Sequence, residues 1–397
     1  MKNFVFISPN FPVTYWKFCA ELKNNGMRVL GVGDCPYDEL TQNLRESLHE
    51  YYKVTSLENY DEVFKAVAFF TYKYGKIDWL ESNNEYWLER DAKLRTKFNI
   101  TSGFKSHQID YIKRKSAMKA YYAEAGIPTA RYHLVKGYED AAEFAHMVGY
   151  PVVVKPDNGV GASQTYRLRN DDELHFFIDH MDEHVYIMEE FVNGYVRTYD
   201  AIIDSKGNAV FESGNITPHS LMDIVNDQGE SIYYIVKDLP ENVIDAGLRT
   251  VKAFGVRSRF VHLEYFVLNA DQEGLGKKGD IIGLEVNMRP AGGYTPDMYN
   301  FAYETDVYKI WADMIAFDKV TLPMDRPHHH CAFVGRRDGK NYKLDDNAVM
   351  TKYGPSMKMW GRIPDALSGA MANQMFVCNF DTEEEVWSFF RETMETN

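Results

Sequence analysis

Residues 281–293 read "IIGLEVNMRPAGG". Glu285, Asn287 and Arg289 fall on alternate positions of a strand-like run, so a β-strand would aim all three at one face. Leu284, Val286 and Met288 would point the other way. An acid, an amide and a guanidinium on one face suit either a solvated antiparallel strand or a cleft that binds a metal and an anion. "VHLEYF", residues 261–266, adds His262 and Glu264 on one face of a second strand. Glu264, Glu285 and Asn287 supply hard oxygen ligands, which suit Mg²⁺ completed by phosphate oxygens and water. Two buried carboxylates without a cation would be costly.

Three further clusters bear charge. Lys113, Lys115 and Lys119 lie on one helical stretch, where a lysine reaches a phosphate as a point charge, or where a basic face is merely solvated. In "VVVKPDNGVGAS", Lys155 ends a β-branched strand before a loop with Gly159, Gly161, Ala162 and Ser163. Such a loop lets the backbone approach a ligand and turns N–H groups toward anionic oxygens, though an ordinary hairpin loop has the same composition. In "MEEFVNG", Glu189 and Glu190 end a strand, where a carboxylate can accept from an exocyclic amine or can simply be a surface pair.

These groups need elements to hold them. Residues 3–100 alternate short apolar runs with helical spacing, which predicts a parallel, doubly wound sheet. "GVGDCP" at Gly31 and "GVGASQ" at Gly159 both miss the dinucleotide fingerprint, and no Walker loop is present. A Lys-rich helix is predicted from Ser106 to Gly126. Strand, glycine loop, strand and helix follow, then hairpins after "VRTYDAIID" and a helix over "PENVIDAGLRTVKAFG". Two strands carry the acids, and a helix is predicted over Glu304–Phe317. The tail holds strand-like "HCAFVGRR" and "NQMFVCNF" and an acidic final helix.

At 397 residues the chain suggests two or three domains. Its 44 basic and 58 acidic residues give a net charge of −14. That argues against nucleic acid or anionic membrane as a partner. Four scattered cysteines, Cys19, Cys35, Cys331 and Cys378, fit a reducing compartment. The N-terminal apolar run is too short for a signal peptide, and no run approaches a membrane span. The expectation is a cytoplasmic protein.

The order of the clusters resembles the ATP-grasp superfamily, in its carboxylate–amine ligase branch, over residues 1–317. "KSAMKAYYAEAGIPT" is similar to the first lysine segment, "PVVVKPDNGVGAS" to the second lysine and glycine loop, "EEFV" to the adenine hinge, and "LEVNMRPAGG" to the metal-ligand strand. The resemblance implies α/β and α+β architecture. A Rossmann-like leading domain (1–105) would precede a small subdomain with the glycine loop (106–190), a metal-binding subdomain (191–320) and its C-terminal extension (321–397). It implies that Lys115, Lys155, Gly159, Gly161 and Ser163 bind ATP phosphates. Glu189, Glu190, Phe191 and Val192 would line adenine, with Asp200 the nearest acid for the ribose. Glu264, Glu285 and Asn287 would bind Mg²⁺ or Mn²⁺. Arg289, with Lys155, would act on the carboxylate or the transferred phosphate.

Two features depart from the pattern. "NGYVRTYD" has Val196 and Arg197 where many relatives bind the ribose. "RSRFVHLE" has Arg257 and Arg259 where relatives often carry glycine, so these are either anion contacts or structural. The implied reaction joins a small carboxylate and an amine, possible amino acids included, through an acyl phosphate, releasing ADP and phosphate. The alternatives are activation of bicarbonate or another small acid, as in carboxylases and carbamoyl-phosphate enzymes, and a nucleotide-binding module without turnover. Tyr294, Thr295 and Asp297 are candidate acceptor-site residues, and Arg336 or Arg337 candidate cleft residues. His328–His330 are consecutive and cannot all ligate one ion. A homodimer is the default assembly.

Overall fold

The computed structural model describes residues 1–159, 164–218 and 229–397. Three sheets carry the chain. The first is parallel and holds β1 (Asn3–Ile7), β2 (Arg28–Gly33), β3 (Glu50–Lys53) and β4 (Trp79–Glu81) in the order β3-β2-β1-β4. Every residue of β1 is buried, as expected for a strand covered by helices on both faces. Asn59 caps the helix Tyr60–Tyr74 by accepting from Asp61 and Glu62 N–H, and that helix returns the chain to β4.

The second sheet is antiparallel: β5 (Tyr132–Leu134), β6 (Val152–Pro156), β7 (Tyr166–Leu168) and β8 (Tyr186–Glu190), in the order β5-β8-β6-β7. The third contains β9 (Gly194–Ile203), β10 (Ala209–Ser213), β11 (Asn215–Thr217), β12 (Ser231–Ile235), β13 (Arg259–Leu268), β14 (Ile281–Asn287), β15 (His330–Arg336), β16 (Met357–Arg362) and β17 (Gln374–Phe380). Its order is β14-β13-β9-β11-β12-β15-β17-β16, with β10 pairing on β9. The alternating α/β run is therefore followed by antiparallel sheets.

Two cores matter for the cleft. Helix Trp16–Asn24 packs on helix Val307–Phe317, with Phe18 edge-on to Tyr308 (4.7 Å) and Trp311 (4.9 Å). This packing ties the leading sheet to the large one. Tyr122 lies on Gly283 of β14, where a Cβ would come within 2.7 Å of its ring. Glycine is needed there so that helix Lys115–Glu124 can approach the strand.

Several boundaries differ from the expected ones. The Lys-rich helix is two, Asp110–Lys113 and Lys115–Glu124, because Arg114 is extended at φ −87°, ψ 119°. The helix expected from Glu304 begins at Val307, capped by Asp306. β16 and the helices Asp346–Tyr353 and Asp365–Met371 were not foreseen. Among the described residues no helix is long and apolar enough to cross a membrane.

Candidate functional site

The break at Arg114 makes Lys115 the first residue of its helix. Asp157, just beyond β6, caps that helix. Its carboxylate accepts from Ser116 N–H (2.7 Å) and Ser116 Oγ (2.9 Å), and its carbonyl accepts from Lys115 N–H (2.9 Å). The first lysine is thereby fixed to the segment carrying the second. Lys115 Nζ donates to Gly159 O (3.3 Å) and lies 3.6 Å from Glu285 Oε1. Lys115 thus bridges the loop after β6 and strand β14, and Lys155 lies close enough to Glu285 and Glu264 to feel their charge.

Glu189 and Glu190 face opposite ways, as neighbours on a strand must. Glu189 meets Lys155 at 2.6 Å through one oxygen and Lys119 through the other. Burial would raise its carboxyl, but Lys119 and Lys155 together hold it down at about 2. Burial lowers Lys119 from the ordinary lysine range. Glu190 instead accepts from Arg131 N–H (2.7 Å), Nε (3.0 Å) and Nη2 (2.7 Å). The Phe191 carbonyl accepts from Gln272 (2.9 Å), and Val192 is buried against Leu268 and Ile282. Gly161 and Ser163 lie outside the described residues.

On the large sheet, Glu264 pairs directly with Glu285, and His262 with Asn287. A bulge follows Glu264, so Tyr265 pairs with Gly283 and Leu284 is the extra residue. The strand ends at Asn287, and Arg289 lies in the turn beyond it. Asn287 donates to Glu264 (3.2 Å) and accepts from Arg289 Nη2 (3.1 Å). Burial raises the Glu285 carboxyl, Lys115 opposes this and Glu264 adds to it. Burial would also raise Glu264, but His262, 3.2 Å away, holds it below the usual range. Asp200, fully buried, holds the other side of His262 and accepts from Thr198. Among the described residues no group of three His, Cys, Asp or Glu side chains could hold a metal ion. The set here is two carboxylates and an amide, which fits Mg²⁺, an ion that takes few protein ligands and keeps water and phosphate oxygens.

Lys113 sits at the edge of this cluster through Glu85, and the remaining candidates are engaged elsewhere. Lys113 donates to Glu85 O (3.2 Å), and Glu85 Oε2 lies 3.7 Å from Arg289. Asp297 pairs with Lys17 and accepts from Tyr308 (3.0 Å), while Thr295 meets Tyr233 at 3.0 Å. Arg336 donates to Thr393 O, and Arg337 to the carbonyls of Gly229, Ser368 and Gly369. His328 meets Asp238 and His329 meets Asp381, while His330 lies at Lys237 N–H. Arg257 donates to Val256 O.

A family model described as the carbamoyl-phosphate synthase L chain, ATP binding domain, matches residues 113–252. Mouse mitochondrial carbamoyl-phosphate synthase [ammonia] is 24% identical over 200 residues, 47% of this chain and 12% of that protein. The chain therefore spans about an eighth of that curated relative. The L-amino acid ligase of Bacillus licheniformis superposes with a TM-score of 0.72 at 16% identity, over 99% of this chain and 97% of the other. The biotin carboxylase domain of Hydrogenobacter thermophilus 2-oxoglutarate carboxylase, solved with MgADP and bicarbonate, gives 0.69 at 14% identity, over 99% and 89%. The matched segment and the shared fold bear out the resemblance to the ATP-grasp superfamily. The matched segment covers Lys115, Lys155 and Glu189–Val192 but stops before Glu264. Sequence reasoning passed over Asp157 and Arg131. Asp157 stood in the quoted loop, but its capping role shows only when the two segments meet. Arg131, between strand and helix, had no signal.

Proposed function

We propose that this chain uses ATP to activate a small carboxylate, bicarbonate or a comparable acid, as an acyl phosphate. A carboxylate oxygen attacks the γ-phosphorus of ATP, the bond to the β–γ bridging oxygen breaks, and ADP leaves. A nucleophile then displaces phosphate from the acyl carbon. The observation that carries this reading is the clustering of Lys115, Lys155, Glu264, Glu285, Asn287 and Arg289 around what would be the reaction cleft. Lys115 and Lys155 would hold phosphate oxygens, joined by main-chain N–H groups from Gly159, Gly161 and Ser163. Glu189 holds Lys155, and the backbone of Glu190–Val192 would read the purine edge. Arg289 would bind the carboxylate or the phosphoryl group in transfer. Glu264, Glu285 and Asn287 would hold Mg²⁺, which when bound neutralises phosphate charge. No protein nucleophile is required; positioning and charge neutralisation supply the catalysis.

The family match and the mouse relative favour bicarbonate or another small acid, and the carboxylase domain solved with bicarbonate agrees. A second reading, amide formation between a carboxylate and an amine, is favoured by the likeness to an L-amino acid ligase over nearly the whole of both chains. The test supplies the purified chain with Mg²⁺ and ATP, then bicarbonate with and without ammonia, then pooled amino acids. ADP, phosphate and product mass are followed. Bicarbonate-dependent ADP release supports the first reading. A product weighing two components minus water supports the second. ADP release under neither condition removes both.

A further inference from the structure

We propose that Arg259 is a positioning residue for Arg289, clamping the end of β14 to the end of β4. Arg259 opens β13 and is 3% exposed. It lies on the strand positions opposite to His262 and Glu264, so it does not enter the cleft and acts through its partners. Its Nη2 donates to Glu81 Oε2 at 2.8 Å, and its Nη1 donates to Met288 O. The guanidinium lies over the Phe104 ring at 4.8 Å.

Both contacts are one short step from the cleft. Glu81 is the last residue of β4, and four residues on, Glu85 Oε2 lies 3.7 Å from Arg289 Nε. Met288 immediately precedes Arg289. A single side chain therefore holds two segments just before they converge on the same guanidinium. Arg95 supports the assembly from the other side: Nη2 lies 2.9 Å from Glu81, Nε donates to Leu80 O and Nη1 to Phe104 O. The flat fork of arginine suits two acceptors in different directions, whereas a lysine offers one compact charge. Burial leaves the attraction within the Glu81 pair unscreened by water and makes the loss of either partner costly.

The clamp is tested first without turnover. Hydrogen exchange of the full chain is measured for wild type, Arg259→Lys, Arg259→Met and Glu81→Gln. The expected result is roughly tenfold faster exchange in peptides covering 82–90 and 288–292 together, larger for Arg259→Met than for Glu81→Gln. Acceleration confined to 257–262, or to one of the two segments, overturns the clamp. If Arg259→Met does not fold, Arg259→Lys and Glu81→Gln decide. The kinetic arm rests on the ATP-dependent reading. There Arg259→Lys should lower kcat about tenfold with KM for ATP changed less than about twofold, since the phosphate-binding lysines are untouched. Equal loss in both parameters, or unchanged kcat, counts against the clamp. A wild type without turnover counts against the functional reading alone, and exchange still decides Arg259.

Discussion

Glu264 and Glu285 face each other across a ladder, and like charges at that spacing repel. Lys115 at 3.6 Å offsets part of this, yet the Glu285 carboxyl remains raised. In metal-free protein Glu285→Gln should therefore raise stability, by about 0.5–2 kcal/mol in urea titration, while ATP turnover falls roughly 10²-fold. A variant less stable than wild type would show that the pair is not repulsive. Glu189 makes the opposite case. Its folded pKa of about 2 lies below the unfolded value, so its contribution is complete above roughly pH 4.5 and is lost as pH falls toward 2. Lys119→Met should cost about 2 kcal/mol at pH 7, less than a buried pair broken outright because Lys155 remains. The gap to wild type should close between pH 4.5 and 2, followed by thermal melts. A gap that is constant with pH would mean that Lys119 acts through packing alone.

At the scale of elements, the short helix cap explains how the two phosphate lysines are held in register. Asp157→Ala should cost about 1 kcal/mol, the usual worth of an N-terminal cap, and weaken ADP binding in calorimetry. Asp157→Asn, which keeps an acceptor for Ser116 N–H, should recover most of both. Unchanged ADP affinity in Asp157→Ala would separate the cap from the cleft. These details also mark how far the sequence could be read. Period-two alternation made the shared face of Glu285 and Asn287 legible, and likewise that of His262 and Glu264. The parallel sheet was equally legible from alternating runs. The break at Arg114 was not, because no proline or glycine marks it and the tertiary contact with Asp157 decides it. The bulge at Leu284 was also hidden, since it depends on the partner strand. Glu189 and Glu190 were read as one pair, although strand geometry separates them. β16 was missed because Met357–Arg362 alternates half-buried and exposed residues at a sheet edge and has no apolar run.

Across the whole molecule, the leading sheet meets the large one through buried charge as well as through the Phe18–Trp311 packing. Arg95, Glu81, Arg259 and Asp91 lie together, and all are buried. Asp91 accepts from Ser82 N–H (3.0 Å) and Ser82 Oγ (2.6 Å), anchoring the turn after β4. Burial pushes its carboxyl up to about 7, with the neighbouring Glu81 adding to the shift and Arg95 opposing it. The folded pKa thus lies above the unfolded value of about 3.9, so the folded chain binds the extra proton between these limits. Stability attributable to Asp91 must fall as pH rises from about 4 to about 7 and level off above. Asp91→Asn keeps an oxygen for Ser82 and carries no charge, so it should remove that slope. The variant should match wild type near pH 4 and exceed it increasingly up to pH 7–8 in urea midpoints. A difference independent of pH would mean that Asp91 stays ionised, with Arg95 outweighing burial. A variant weaker at every pH would mean that the Ser82 contacts require a carboxylate. Either result would change the account of how the two sheets are joined behind Arg289.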